Sequence, residues 1–505
     1  HRDLHLSIRR QRQMCIRDRE ILCELRFCGG EIFDFAVRED FSGLQRRDLA
    51  LGIAQLKHGI AECLAELDLD LVFSRCPKCK NAISPLFTLE AYMSTLAASM
   101  ATDAEKVNLG HLSMQKYLKR DTVQMMTRAI ITCAVRRRAS DIHVEPDDKG
   151  LIIRQRIDGV MTEMIMLPRS LAQAVVSALK IAANLNIAEK RLPQDGKLQI
   201  RIDNTDIDVR IASSPASSGE KVSMRLLDIR SIQIEARHLG MHDHQQETFL
   251  KTIRAPHGLI LVTGPTGSGK STTLYVALQT LKTGDKNIIS IEDPIEFQIS
   301  GVNQIQVNVP AGLTFASCLR SVLRQDPDII MVGEIRDQET AEISVNAAST
   351  GHLVLSTLHT IDACSSVSRL FDLGVAPRQF ADALSLVVAQ RLVRLVCSYC
   401  KEPVAIDWDV LGQLGISEST AHNMSFYKGK GCPACAKTGY LRRAGIFEFL
   451  SPTDRIRAEI EKNSLSTAQL RDLAIQNGMT TLRQEAIRLL LTGVTTIEET
   501  VRVTK

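Results

Sequence analysis

Between residues 116 and 230 the apolar positions change period more than once. Val123, Met126, Ile130 and Cys133 recur at spacings of three, four and three, which is one face of a helix running out near Ala139-Ser140. Leu151–Ile157 then reads as a strand, Asp158-Gly159 as a hairpin turn, and Val160 as the start of the returning strand. Leu198, Ile200 and Ile202 alternate with polar residues, and so do Ile207, Val209 and Ile211 after the turn at Asp203–Asp206. The region is therefore expected to be a small α+β domain, 116–230, whose antiparallel sheet has one solvated face.

From 231 onward the pattern is different. Leu259–Val262, Ile288–Ile291, Ile329–Val332 and Leu353–Leu355 are apolar throughout and are separated by segments long enough for helices. Strands apolar on both faces belong to a parallel sheet covered by helices, so 231–505 is expected to be an α/β domain. Its last part, 451–505, reads as helical. Over Leu465–Thr504, Thr467 and Thr495 are expected caps, and Gly478 and Gly493 are expected stops.

Residues 1–115 carry less information. Leu51, Ala54, Leu56, Ile60, Cys63 and Leu67 fall near helical spacing within Leu49–Leu71. The Arg-rich His1–Arg19 opens on His and has neither the apolar core nor the cleavage site of a signal peptide, so 1–30 reads as a fragment edge or a wrongly translated end.

A length of 505 residues predicts three or four domains. The 44% hydrophobic and 24% charged content is that of an ordinary globular chain and excludes a disordered or collagenous one. Lys and Arg number 62 against 58 Asp and Glu, a net +4, so no basic footprint suggests a nucleic-acid partner. No apolar stretch reaches the ~18 residues of a membrane span. Thirteen cysteines, an odd number in a long chain, point to a reducing cytosol rather than to a disulfide framework.

The chemistry is concentrated in 231–505. Gly264-Pro265-Thr266-Gly267-Ser268-Gly269-Lys270-Ser271 fits G-x-x-x-x-G-K-[ST] in full, after an apolar strand and before a helical segment over Thr272–Thr280. The glycines allow backbone N–H groups to turn inward around phosphate, and the helix N-terminus adds its positive end. Lys270 is expected to reach the β- and γ-phosphates, and the Ser271 hydroxyl to hold Mg²⁺. Glu292-Asp293-Pro294-Ile295-Glu296 closes the second apolar strand, and Gly333-Glu334 closes the third. Ligands of open α/β sheets lie beyond the strand carboxyl ends, so these acids are expected beside the loop, where they can hold metal-bound water, accept a proton or simply cap helices. His352 and His359 flank the fourth strand, and either a γ-phosphate sensor or a structural histidine suits that place.

Cys397-x-x-Cys400 and Cys432-x-x-Cys435, with 31 residues between the pairs, supply four thiolates in two knuckles. This set suits tetrahedral Zn²⁺ with no open position, a structural site. Two redox pairs are the rival reading, but no thioredoxin-like βαβ pattern accompanies them. Cys76 and Cys79 amount to half of such a site.

Four ordered segments carry a resemblance: Gly264–Ser271, Glu292–Glu296, Leu323–Asp337 and Thr350–His359 are similar to the Walker A, Asp box, Walker B and His box of the secretion ATPases that drive type II secretion and type IV pilus assembly. Ala139–Pro146, Arg154–Gly159, Ala188–Gly196 and Gly219–Val222 extend it upstream, and Met479–Arg483 downstream, so that it covers about 120–505. The resemblance implies a P-loop, RecA-like ATPase domain after a small PAS-like domain. It also implies a homo-hexamer that is cytoplasmic and peripheral to the inner membrane, hydrolysing ATP to ADP and phosphate against platform proteins of a secretion or pilus system. On the same basis Gly264 to Thr272 bind nucleotide, Glu296 polarises water with Glu292 as competitor, Glu334 is the Walker B acid, and His359 belongs to the His box. Arg156, Arg324 and Arg336 are the arginines expected to reach phosphate, partly across a subunit boundary. Arg154 is expected on Arg156's sheet face. Ala178 and Ile361 depart from the family's usual Arg and Asn, which bears on rate. Assembly-type members carry a tetracysteine zinc insertion that retraction motors usually lack, so 397–435 favours extension or secretion. A DNA-uptake or conjugation motor and a non-hydrolysing scaffold are the competing readings; the small net charge gives the first no support, and intact Lys270, Glu334 and Glu296 oppose the second.

Overall fold

Two sheets organise the protein in the computed structural model, which describes residues 120–202, 205–228, 235–405, 408–417 and 424–504. The readings for 1–115, including Leu49–Leu71 and Cys76/Cys79, lie outside the described residues.

Helix α1 (Arg120–Arg136) leads into β1 (Ala139–Pro146), β2 (Gly150–Ile157) and β3 (Val160–Pro168), then α2 (Arg169–Ala182), β4 (Gln194–Ile202), β5 (Thr205–Ala216) and β6 (Gly219–Asp228). The six strands form one sheet in the order β3-β2-β1-β6-β5-β4, antiparallel throughout. Val123, Met126, Ile130 and Cys133 are all buried, as their spacing demands. Asp158 and Gly159 turn the β2-β3 hairpin with φ of 48° and 87°. On β2, Leu151, Ile153, Gln155 and Ile157 point inward, which puts Arg154 and Arg156 together on the outer face. Strands β1 and β6 were not anticipated. Ile142 and Val144 are the only large apolar residues of β1, set among Asp141, His143 and Glu145, so its alternation is short and heavily charged. Lys180 of α2 is 1% exposed and donates to Glu220 Oε1 on β6 at 2.7 Å and to the Glu189 carbonyl at 2.6 Å. It ties helix, central strand and loop together.

After α3 (Asp243–Ile253), the second sheet is built from β7 (Gly258–Thr263), β8 (Ile288–Glu292), β9 (Asn303–Gln306), β10 (Ile329–Val332), β11 (Leu353–Leu358), β12 (Leu384–Val396) and β15 (Tyr440–Leu450). Its order is β15-β12-β7-β11-β10-β8-β9. The pairs from β12 to β9 are parallel, but β15 runs antiparallel to β12, so the sheet is mixed rather than purely parallel. The continuous apolar runs have a simple cause. Leu259, Leu261, Ile289, Ile291, Ile330 and Val332 enter a core on one face with α5 (Phe315–Val322), α6 (Gln338–Ser349), α7 (Ala363–Asp372) and α8 (Pro377–Ala383). Their neighbours Ile260, Val262, Ile288, Ile329, Met331 and Leu355 enter a second core with α3 and α4 (Lys270–Leu281) on the other face.

The small two-stranded sheet of β13 (Lys401–Val404) and β14 (Phe426–Gly429) and the short α9 (Trp408–Gln413) lie between β12 and β15 in the chain. Helices α10 (Asp454–Lys462), α11 (Thr467–Gln476), α12 (Leu482–Leu491) and α13 (Ile497–Thr504) close it. Gly478 and Gly493 are stops with φ of 94° and 67°. The caps lie one residue away from the expected positions: Ser466 caps α11 in a capping box with Gln469, and Thr496 Oγ1 accepts the Glu499 N–H at 3.1 Å at the start of α13. Thr467 is the first helical residue, and Thr495 donates to the Arg394 carbonyl at 2.8 Å instead.

Two buried carboxylates fasten this end. Glu448 of β15 is 2% exposed and accepts the Ala363 N–H at 2.9 Å and the Leu482 N–H at 3.2 Å, the first amides of α7 and α12. Glu499 of α13 accepts from Arg394 and Arg502 at 2.7 and 2.6 Å. Among the described residues no helix is long and apolar enough to cross a membrane.

Candidate active site

The phosphate loop leaves β7 at Thr263 and enters α4 at Lys270. Gly264 and Gly269 have φ of 147° and 90°, and both stand against Gln390 of β12. A Cβ on Gly264 would lie 2.4 Å from the Gln390 carbonyl, and one on Gly269 would lie 2.8 Å from its side-chain nitrogen, so both positions require glycine twice over. Gln390 also accepts from Thr273 Oγ1 at 2.7 Å and so braces loop and helix together. Pro265, Thr266 and Gly267 form the exposed tip, Ser271 is exposed beyond it, and Thr272 is half-buried. Ser268 is buried, with an Oγ that has no partner among the described residues. The Lys270 ammonium donates to the Gly264 carbonyl at 2.8 Å and to the Pro265 carbonyl at 3.2 Å. Burial lowers its pKa from the ordinary value, and the charge of Glu334 opposes that shift. The loop lysine and the acid after β10 are thus electrostatic neighbours.

Glu334 is buried between Arg336 Nη2 at 2.6 Å and His359 Nε2 at 3.3 Å. His352 has a different place: its Nδ1 lies 3.0 Å from the Ala347 carbonyl at the end of α6, a structural contact. The two histidines flanking β11 therefore divide, and only His359 faces the site. Beside it a cavity of about 400 Å³ is lined by Pro265, His359, Thr360, Ile361, Arg369 and Arg391, among others.

The two glutamates of the acidic segment differ sharply. Glu292, at the end of β8, is 4% exposed and accepts from Ser290 Oγ at 2.6 Å, from Gln304 Nε2 at 3.0 Å and from the Tyr275 hydroxyl. Both of its oxygens are engaged. Glu296 is only partly buried, and Arg210 Nη1 of β5 stands 3.2 Å from its Oε2 as an ion pair. That oxygen takes no aligned hydrogen bond among the described residues. Arg210 Nη2 also donates to the Ile295 carbonyl at 2.7 Å, so an arginine of the first sheet holds the acidic segment of the second.

Of the other arginines, Arg336 is brought to Glu334, whereas Arg156 stays on its own sheet with Asp141 at 3.5 Å and the Gly159 carbonyl at 3.2 Å. Arg324 is exposed and makes no ion pair among the described residues. The sequence reading missed Tyr275, Gln304, Gln390 and Arg210. For Arg210 the outward phase of β5, opposite Ile207, Val209 and Ile211, was legible, but nothing local marks a partner 85 residues away.

Cys397, Cys400, Cys432 and Cys435 form a separate centre, with all four sulfurs within 4.8 Å of one another. The Cys397–Cys432, Cys400–Cys435 and Cys432–Cys435 sulfurs are 3.8, 3.9 and 3.7 Å apart. Those distances match the edge of about 3.8 Å that a tetrahedron with Zn–S bonds of about 2.3 Å requires. Backbone N–H groups of Gly431, Cys432 and Gly439 aim at the Cys400 and Cys435 sulfurs at 3.1–3.3 Å, donors suited to thiolate. Burial raises the Cys397 and Cys400 thiols above their ordinary value, whereas at Cys435 it is outweighed by the amides of Cys432 and Gly439 together with the Cys432 and Cys400 side chains, for a net lowering. A tetrathiolate metal therefore fits this cluster.

Comparisons with known proteins agree on one lineage. The family described as type II/IV secretion system protein matches residues 117–502. A type II secretion system protein E of Pectobacterium carotovorum subsp. carotovorum is 46% identical over 382 residues, 75% of each chain. The type IV pilus assembly ATPase PilB of Myxococcus xanthus is 46% identical over 381 residues, 75% of this chain and 67% of its own. Among solved structures, the pilus retraction motor PilT with bound ADP superposes with a TM-score of 0.51 at 27% identity, over 74% of this chain and 96% of that one.

Proposed function

The chain belongs to the type II/IV secretion system protein family and is an ATPase, and from that premise we propose that it is a hexameric motor hydrolysing ATP to ADP and phosphate to power type II secretion or type IV pilus assembly. In this reading it works in the cytoplasm, docked on inner-membrane platform proteins. The observation that carries the chemistry is the contrast between Glu292, both of whose oxygens accept hydrogen bonds, and Glu296, whose Oε2 faces Arg210 as an ion pair but takes no aligned hydrogen bond among the described residues.

The P-loop amides and Lys270 bind the phosphates, with the ammonium exchanging the Gly264 and Pro265 carbonyls for β- and γ-phosphate oxygens. Ser271 Oγ holds Mg²⁺, which when bound supplies positive charge to the phosphates. Glu296 takes a proton from the attacking water as its oxygen bonds to the γ-phosphorus and the bond to the β–γ bridging oxygen breaks. Glu334, held by Arg336 and His359, keeps a negative charge beside the loop lysine. Arg336 and Arg324 add positive charge near the transferring group. The four cysteines hold a structural zinc within 397–435, which supports the extension or secretion role over retraction.

The chain divides, in this proposal, into an N-terminal region (1–115), a small PAS-like domain (116–230) and the ATPase domain (231–505). Arg156 serves the nucleotide site of a neighbouring subunit, which its position on the outer face of β2 supports. An arginine supplied in trans makes turnover depend on assembly. The test mixes two inactive variants, Arg156→Ala and Lys270→Ala. Mixed rings contain interfaces pairing an intact Lys270 with an intact Arg156, and these regain part of the activity. Verified mixed rings without recovery, or dilute monomers as active as rings, overturn the trans role.

A further inference from the structure

We propose that Tyr275 is a positioning residue for hydrolysis, the group that fixes the backbone of Glu296 relative to the phosphate-binding helix. This rests on the reading of Glu296 as the residue that polarises water. Tyr275 is 5% exposed on α4, five residues after Lys270, so the helix that presents the phosphate-binding lysine also carries this phenol. Its hydroxyl makes three contacts. It donates to Glu292 Oε2, and it accepts the N–H of Glu296 at 3.2 Å and the N–H of Phe297 at 3.4 Å. Phe297 packs edge-on against the Tyr275 ring, with centroids 6.2 Å apart, which keeps the segment seated on the phenol.

The three bonds have a direction. Burial and the neighbouring Glu292 both raise the phenol's pKa, so the proton stays on oxygen and goes to Glu292, and the lone pairs are left for the two amides. Glu292 becomes the anchor, with Ser290 and Gln304 filling its other oxygen. Glu296 becomes the group that is aimed. A purely structural phenol would need one partner; this one connects the buried anchor, the backbone of the acid and the phosphate-loop helix.

Removal of the hydroxyl leaves the ring packed but frees the Glu296 amide, and a displacement of about 1 Å of a catalytic group can cost on the order of 100-fold in rate. The experiment measures steady-state ATP hydrolysis, ADP affinity and thermal unfolding of the full chain for Y275F, S290A, E296Q and Y275F/E296Q. Ser290 donates to Glu292 but touches neither amide, so S290A reports the loss of a Glu292 bond alone. The expected result is that Y275F lowers kcat by roughly 10- to 100-fold, with KM and ADP affinity within about threefold. S290A keeps kcat close to wild type, and Y275F/E296Q is no slower than E296Q, as two residues acting through one group require. Wild-type turnover in Y275F alongside a slow E296Q overturns the positioning role. Equal losses in Y275F and S290A overturn it too, because the phenol would then act only on Glu292. Undiminished turnover in E296Q removes the reading of Glu296 itself, a separate failure seen without reference to Tyr275.

Discussion

Replacing Glu448 removes one carboxylate that serves two helices at once. Its oxygens accept the first amides of α7 and α12 at 2.9 and 3.2 Å in a site 2% exposed. Glu448→Ala strands two buried N–H donors, each costing about 1–3 kcal/mol, so the gross loss is about 2–6 kcal/mol. Relief of the carboxylate's own desolvation brings the net to about 2–4 kcal/mol. Glu448→Gln keeps one carbonyl oxygen but turns an NH₂ group toward the second amide, for a loss of about 1–3 kcal/mol. Burial raises the Glu448 pKa above its ordinary value, and the amides of Ala363 and Leu482 only partly oppose it. The folded state therefore holds the proton more tightly than the unfolded chain. The resulting stabilisation is full below the unfolded carboxyl's pKa and is lost as pH rises through the folded one. The gap between wild type and Glu448→Gln should widen as the buffer is taken from neutral into the carboxylate range. Urea unfolding followed by circular dichroism at pH 7 and pH 5 reads both effects. Variants as stable as wild type would refute the double-anchor reasoning, and a gap that narrows on acidification would refute the dominance of burial over the two amides in setting the Glu448 pKa.

Two further outcomes are expected. The purified chain should carry about one zinc in Cys397, Cys400, Cys432 and Cys435; elemental analysis finding none in protein prepared without chelator rejects the site, and a second equivalent points to Cys76 and Cys79. Glu334→Gln should retain ADP binding but lose most turnover, since the shape survives while the charge facing Arg336, His359 and Lys270 does not; a phosphate-release assay matching wild type would exclude the Walker B role.

The place of the Gly264–Ser271 loop between a strand and a helix was legible because the pattern is local: its eight consecutive residues follow a strand whose two faces are both buried. The four buried strands were legible for the same reason, as apolar runs such as Ile329–Val332 have no wet side to interrupt them. Short elements with mixed character were not. β1 offers only Ile142 and Val144 between charges, and the caps at Ser466 and Thr496 were displaced by a residue because Thr467 and Thr495 are chemically equivalent neighbours. The antiparallel course of β15 has no mark in its own sequence, since a strand carries the same pattern in either direction. Within the site the sequence could not separate Glu292 from Glu296. Their difference lies in the surroundings: Tyr275 and Gln304 on one, Arg210 from a different sheet on the other.

The polar links between the two sheets respond to conditions that leave the apolar cores unchanged. Arg210 spans to Glu296 and the Ile295 carbonyl, and Asp158 of the β2-β3 turn meets the Arg442 N–H at 3.2 Å and Arg443 Nε at 3.7 Å. Charge pairs of this partly exposed kind are worth about 0–1 kcal/mol each, far less than shearing the core within either sheet. What these pairs contribute at the seam between the two sheets therefore depends on the solvent. Ions at physiological strength screen over about 8 Å, so added salt should weaken these pairs while leaving the apolar cores of both sheets untouched.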